Sequence, residues 1–585
     1  MSHTYIALTG LTSHWNSPDN TLLLTDGCRI RGGEEPWRDF ADPVDMIRFH
    51  GERKVVAAQT LCNNYALAYM PVLADALEAR LQLGYGQRFY QRIIAPWLVW
   101  FVQAAYDRYC SIRKAAILPC VCFITGTGEI FPRPDALCHS VDIANDDVYN
   151  LLFYTDIIRA LNLPEESRPI ANVHYSNIYA FGDSSQRFIA KTVLRSALLV
   201  FEKLFSSSTH LCYDIYGLPS LRDIRRYRRR LLPMSHKITL NLQLDVQFRA
   251  TPLPYMFHDD FSILLSKLIP RYIPLGACEA VPYFVRWARQ QKIPRRGVIA
   301  TSVGIYSDPS IMVLAGLHQR PLAVIEHGGN GMLQSSDPHL FAQKIAADRY
   351  YSMGHDLYAL PSPYLAARCS RRAIAPPLMV TNDGYRYLPR IMPTVCEGSL
   401  IPYHERRKSF LRFLAIELFP QLRLYYSEFG WGVRQDLLQF FPKIQFQDSL
   451  QIPMEQALAD TCLLILDHYS TSFHRAMATN TPTIIFTPAG CFSAEAQEVI
   501  VQLRSVGIWH DTPEKAASFY SSLVENNAGN WVKVEKDVKD WWLSQKVQSA
   551  RSIFCEKFAR TSPTWASEWL CAFDELAEEW IDMRN

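Results

Sequence analysis

LLILDHYSTSFHRAMATNTPTIIFT, residues 463–487, is the stretch from which the rest of the chain can be read. Leu463 to Leu466 is an apolar run of the length a buried parallel strand needs. Asp467, His468 and Tyr469 make a turn, and Ser470, Thr471 and Ser472 set three hydroxyls where a helix begins. Ala476, Met477 and Ala478 are small and apolar enough to pack that helix on a sheet. The helix stops near Asn480, Pro482 breaks the chain, and Thr483 to Phe486 reads as the next strand. Hydroxyls at a helix N-terminus stand beside unpaired N–H groups and the positive end of the helix dipole. Such a place favours an anion, and a phosphate most readily. The competing reading is that Ser470 or Ser472 is the N-cap of an ordinary helix.

A second unit of the same kind runs from Gly297 to Gly331. Val298 to Ser302 is a strand, Ser310 to His318 a short helix, and Leu322 to Ile325 a strand that ends in Glu326-His327-Gly328-Gly329-Asn330-Gly331. Glycine lets a backbone take positive φ and approach a ligand, and ligands of open α/β sheets collect at the carboxyl ends of strands. Gly328 and Gly329 therefore read as a close-approach loop, and His327 as an acid/base or phosphate donor. A structural histidine is the rival. The loop is not a P-loop, since G-x-x-x-x-G-K-[ST] is absent.

A chain of 585 residues is too long for one core. Its 49% hydrophobic and 20% charged residues describe a globular protein, and a net charge of +3 excludes an extended nucleic-acid footprint. The 14 cysteines are scattered without a C-x-x-C pair, which points to a reducing, cytoplasmic compartment and to no metal site. MSHTYIALTGLT has neither the basic leader nor the apolar core of a signal peptide. Ile93 to Tyr106 is the most hydrophobic segment, yet falls short of the roughly 20 residues of a spanning helix. It suits a buried helix, with a shallow peripheral membrane contact as the alternative.

Along the chain, Tyr5 to Thr9 and Thr21 to Thr25 read as strands, the second ending at Asp26-Gly27. A helical region follows from about Pro43 to Ala115, then a strand from Ala116 to Ile124 and a helix within Val141 to Ala160. Arg187 to Leu204 is amphipathic, and Leu221 to Leu232 puts Arg222, Arg225, Arg226 and Arg229 on one helical face, either solvated or set against anionic headgroups. Pro361 to Pro377 reads as a connector. Strands then begin at Leu378 and continue through Leu422 to Tyr426 and Ile444 to Phe446. The alternation is expected to fade after Phe486, and from Asn530 the chain is helical and tryptophan-rich. The predicted fold is α/β, with two Rossmann-like domains in a GT-B-like arrangement. Residues 1–365 form the N-terminal domain with large helical insertions, 366–530 the nucleotide-binding domain, and 531–585 a helical tail bridging them. No D-x-D triplet occurs, which favours meeting a departing phosphate with helix dipoles and side chains in place of Mg²⁺. No cofactor is expected.

STSFHRAMATNTPTIIF, VGIWHDTPEKAA and RSIFCEKFARTSPTW resemble a family of transferases encoded in bacterial surface-polysaccharide loci. GERKVVAAQTLCNNYALAYMPVLADALEARL with RIIAPWLVWFVQAAYDRY looks like that family's N-terminal helical region, and IEHGG its histidine-diglycine loop. Its broader relatives are GT-B enzymes using CMP-activated ulosonic acids such as Kdo or nonulosonates. The resemblance implies that Ser470, Thr471 and Ser472 hold a CMP phosphate. It also implies that Asp26, in TLLLTDGCR, or Asp308, before Pro309, is the base or nucleophile, although both positions depart from the family's acids. The leading expectation is transfer of a CMP-linked acidic sugar to a glycan or lipid-linked acceptor at the inner face of the membrane. The alternatives are transfer of a polyol phosphate from a CDP donor, and a non-catalytic glycan-binding scaffold.

Overall fold

A computed structural model describes residues 4–29, 35–45, 49, 51–128, 131–170, 178–182, 210–215, 231–234, 236–293, 296–366, 369–391, 401–425, 432–488 and 490–584. The amphipathic 187–204 stretch and the arginines of 222–229 lie outside them.

The strands are β1 (Thr4–Ala7), β2 (Thr21–Leu23), β3 (Val121–Thr127), β4 (Glu165–Pro169), β5 (Ile178–Gly182), β6 (His210–Tyr213), β7 (Leu231–Met234), β8 (Lys237–Asn241), β9 (Ile299–Thr301), β10 (Leu322–Ile325), β11 (Arg349–Tyr351), β12 (Leu378–Asn382), β13 (Gln421–Tyr425), β14 (Leu464–Leu466), β15 (Thr483–Phe486) and β16 (Trp509–His510). Among the described residues they form three parallel sheets, β2-β1-β3-β4, β7-β6-β9-β10-β11 and β13-β12-β14-β15-β16, with β5 and β8 as an antiparallel pair. Counted in chain order within each sheet, the strands lie 2-1-3-4, 2-1-3-4-5 and 2-1-3-4-5. That is the order of doubly wound open sheets, whose chain reverses direction of winding between the first and third strands. The sequence reading expected two such units, and residues 1–365 alone contain two of the three sheets.

Strands close to β1, β2 and β3 were read from the sequence, but not their grouping as a separate sheet with β4, because α1 (Glu52–Leu81) and α2 (Gln87–Ala116) lie between β2 and β3. Every residue of α2 from Ile93 to Ala105 is buried. The helix is covered on all sides because the first sheet supplies Ile6, Leu24 and Phe123 to the same core as Leu211, Ile299 and Val324 of the second. The apolar run therefore fills the protein interior and offers no face to lipid. No helix among the described residues is long and apolar enough to cross a membrane.

Alternate residues of the remaining strands feed opposite layers, as the period of 2 demands. Val380, Leu464 and Leu466 join one core with Phe554 and Trp542, while Met379, Leu463 and Ile465 join another with Val534 and Tyr520. The alternation does not fade after Phe486: helix Ala494–Ser505, β16 and helix Pro513–Val524 complete the third sheet. β16 is only two residues long, too short to leave a strand signal. The C-terminal helices divide between the units. Trp542 and Phe554 pack on the third sheet, whereas Trp569 and Phe573 of helix Trp565–Asp582 cover Ala300, Ala323 and Ile325 of the second.

One carboxylate stitches the third sheet to the first. Asp147 accepts from Gly10 N at 2.8 Å, from Tyr387 Oη at 2.5 Å and from both terminal nitrogens of Arg386 at 2.7 and 2.8 Å. Arg108, buried in α2, donates to Leu388 O at 2.5 Å, and Gln59 donates to Ile391 O at 2.9 Å. Removing the half-buried Asp147 carboxylate would leave the buried Arg386 guanidinium uncompensated. Asp147→Ala is expected to cost about 3 kcal/mol, read as a lower urea midpoint for loss of the first sheet's packing.

Candidate functional site between the second and third sheets

The exit of β10 meets the start of helix Thr471–Thr479. Glu326, buried, ties the β10 loop into a fixed shape: its carboxylate accepts from Gly331 N at 2.8 Å and from Met353 N at 2.7 Å. Gly328 and Gly329 have φ of +77° and +90°, a region that strains residues with a side chain. Their lack of a Cβ serves the opposite sheet. A Cβ on Gly328 would strike Thr471 Oγ1, and one on Gly329 would strike the His474 ring. Thr471 Oγ1 donates to Gly328 O at 3.1 Å, and the Tyr469 hydroxyl donates to Gly329 O. With that phenol proton committed, the 3.0 Å contact between Tyr469 Oη and His474 Nε2 assigns the ring hydrogen to Nε2.

Ser470 has the extended backbone of an N-cap, at φ −161° and ψ 176°, but its side chain makes no capping bond. Its Oγ is buried without a partner. The ordinary N-cap reading of Ser470 thus holds for the backbone and fails for the hydroxyl. Ser472 is buried on the same first turn.

His327 is half-buried in the β10 loop, with its ring centroid 6.0 Å from that of His339. Burial, aided by the Arg390 charge, pushes its pKa down to about 4. It is a neutral imidazole at neutral pH and a weak base. Arg390 lies over the Trp100 ring at 4.9 Å and forms no ion pair among the described residues. Trp100, Tyr306 and His339 stack beneath it, with centroid separations of 4.2 and 4.8 Å.

The two candidate acids are elsewhere. Asp308 caps helix Pro309–Leu317, accepting from Ser310 N at 3.1 Å and Ser310 Oγ at 2.6 Å, and lies 2.8 Å from His236 Nε2. None of these bonds reaches the junction. Asp26 starts a turn on the first sheet, next to Gly27, whose carbonyl accepts from Arg386. The junction thus unites His327, Gly328 and Gly329 with Ser470, Thr471 and Ser472, and leaves Asp308 and Asp26 apart. Tyr469, His474, Glu326 and Arg390 are additions that only contact across the junction reveals.

A further polar group sits at the carboxyl ends of β12 and β14, the third sheet's switch point. Asp467 accepts from Tyr403 Oη at 2.8 Å and His468 Nδ1 at 2.7 Å, and also from the Thr381 hydroxyl. Arg407 donates to Thr381 Oγ1 at 2.5 Å and approaches Asp467 to 4.0 Å. A cavity of about 230 Å³ lies at the other end of the Thr471–Thr479 helix, but its Arg371 and Arg475 already face Glu535 and Glu455. Among the described residues no group of three or more His, Cys, Asp or Glu is placed to hold a metal ion.

The second and third parallel sheets thus present hydroxyls, a helix N-terminus and histidines at their carboxyl ends, where ligands of open sheets collect. The family model of LIC12162 family transferases matches residues 4–573, and the chain belongs to that family. No curated protein matches it.

Gly329→Ala would force a strained φ and drive a methyl into His474, with an expected loss of about 1–3 kcal/mol seen as a lower melting temperature. The buried histidines predict a pH dependence. His327 stays neutral in the native state down to about pH 4 and His474 to about pH 3, and His339 is also depressed, all chiefly by burial. In the unfolded chain each ring takes up a proton near 6.5. Between these values the unfolded state binds more protons, so stability falls as pH drops from about 6.5 towards 4. Urea midpoints measured across that range should decline, and less steeply in His327→Gln.

Proposed function

We propose that the protein is a glycosyltransferase that moves an acidic sugar from a CMP-activated donor to a glycan or lipid-linked acceptor, acting at the cytoplasmic face of the membrane. The second and third sheets are the two Rossmann-like halves of a GT-B-like arrangement. Residues 366–530 hold the nucleotide, and the tail from 531 clasps one half to the other. Membership in a transferase family supports group transfer. The observation that carries the rest is the start of helix Thr471–Thr479. Its first-turn N–H groups are uncapped by Ser470, and the Ser470 hydroxyl is buried without a partner, directly opposite the β10 loop. Those donors suit a phosphate. Arg390 supplies a cation near the same loop, so charge appearing on a departing nucleotide meets a dipole, a hydroxyl and a guanidinium without needing a metal.

A ligand bound only by the native state raises its stability, by about 2.7 kcal/mol at 100 times Kd. CMP should therefore raise the melting temperature, and Ser470→Ala should remove most of that shift without lowering the unliganded value. A shift with CDP but none with CMP would favour the CDP-polyol reaction; no shift with either would favour the glycan-binding scaffold. Release of CMP from a panel of CMP-linked acidic sugars should continue in excess EDTA. Loss of turnover restored by Mg²⁺ would overturn the metal-free mechanism.

A further inference from the structure

The polar group at the third sheet's switch point does more than hold strands together. Asp467 is 1% exposed, yet four polar side chains converge on it from three elements: Thr381 from β12, Tyr403 and Arg407 from helix Ile401–Arg412, and His468 from its own loop. So many donors fix the carboxylate, and the carboxylate fixes the ring. With Nδ1–H held by Asp467 at 2.7 Å, His468 exchanges protons only through Nε2, which makes no hydrogen bond among the described residues. Two residues further on is Ser470, whose hydroxyl is likewise without a partner. The exit of β14 thus carries an oriented imidazole, an unused hydroxyl and a helix N-terminus on one short loop, at the place where open sheets of this order bind ligands.

We propose that His468 is the proton donor to the leaving group and Asp467 its positioning residue, an assignment that rests on reading the Ser470–Ser472 turn as the donor-phosphate cradle. In the step, the bond from the sugar's anomeric carbon to the phosphate oxygen breaks, and its electron pair stays on that oxygen. The proton on His468 Nε2 moves to the same oxygen, while the acceptor's hydroxyl oxygen bonds to the anomeric carbon and sheds its proton to water. His468 then regains a proton from solvent. Tyr403 and Arg407, the other titratable and charged groups packed on the pair, stay bonded to Asp467 and its neighbour Thr381.

The test is calorimetric titration of the full-length chain with CMP from about pH 5.5 to 8.5, a range that spans imidazole titration. The phosphate of CMP titrates equally against every variant, so differences between variants report the protein. Wild type should bind more weakly at the alkaline end of the range than at the acid end. His468→Asn, which keeps a donor for Asp467, should bind at least roughly tenfold more weakly at the acid end and lose that dependence. His258→Asn, at an exposed position outside the junction, should keep both affinity and pH dependence. Should His468→Asn fail to fold by circular dichroism, Asp467→Asn carries the test: it preserves volume but frees the tautomer, and should displace the pH curve. Wild-type affinity and pH dependence in His468→Asn, or in Asp467→Asn where that variant carries the test, would overturn the pair while leaving the donor site standing. A wild-type chain that binds neither CMP nor CDP would instead overturn the donor reading itself.

Discussion

Two glycines hold the centre of this protein by having no side chain. At Gly328 and Gly329 the backbone of one sheet's loop comes within hydrogen-bonding reach of the first turn of a helix belonging to another. The approach is closed to any other residue, because the Cβ positions are filled by Thr471 and His474 and the backbone has positive φ. Everything polar at the junction follows from that contact. Tyr469 can reach a carbonyl across the boundary, His474 is pressed into a single tautomer, and the N-terminus of helix Thr471–Thr479 is carried to the edge of the β10 loop.

The same strand order is put to different uses. In the first sheet the carboxyl end of β1 is taken up by Asp147, Arg386 and Tyr387, a bridge to the segment after β12. That end is a joint, closed by protein. In the third sheet the corresponding place holds Asp467, Tyr403 and His468, a polar group whose imidazole Nε2 has no hydrogen-bond partner among the described residues. The second sheet faces the junction with one edge and is covered on its far layer by Trp569 and Phe573. A fold order therefore marks where a ligand can go, and only the side chains placed there show whether one does.

The histidines divide along the same line. His474 is fully buried and His327 and His339 are half-buried at the glycine junction, and desolvation lowers the pKa of all three. His468 is buried too but is held by a carboxylate that already satisfies one of its nitrogens. The carboxylate of Asp467 fixes which nitrogen of the His468 ring is left available.

Much of this was legible without coordinates. Short apolar runs bounded by turns, such as Leu322 to Ile325 and Thr483 to Phe486, are strands with the bounds their pattern indicates, and Ser470 to Ser472 open a helix where the hydroxyls stand. Such features depend on neighbours in sequence, and local chemistry determines them. The first sheet was not legible, since β1 and β3 are joined across more than a hundred residues of intervening chain that includes two long helices. Nor was the purpose of Gly328 and Gly329, which reads as an approach for a ligand and proves to be an approach for Thr471 and His474. Asp308 reads as a candidate base and caps a helix. In each case the sequence by itself determined the residue and its local backbone, whereas the tertiary structure decided what stands opposite it. A carboxylate or a glycine is chemically the same in a cap, a joint or a site, and its role is set by partners the chain brings from far away.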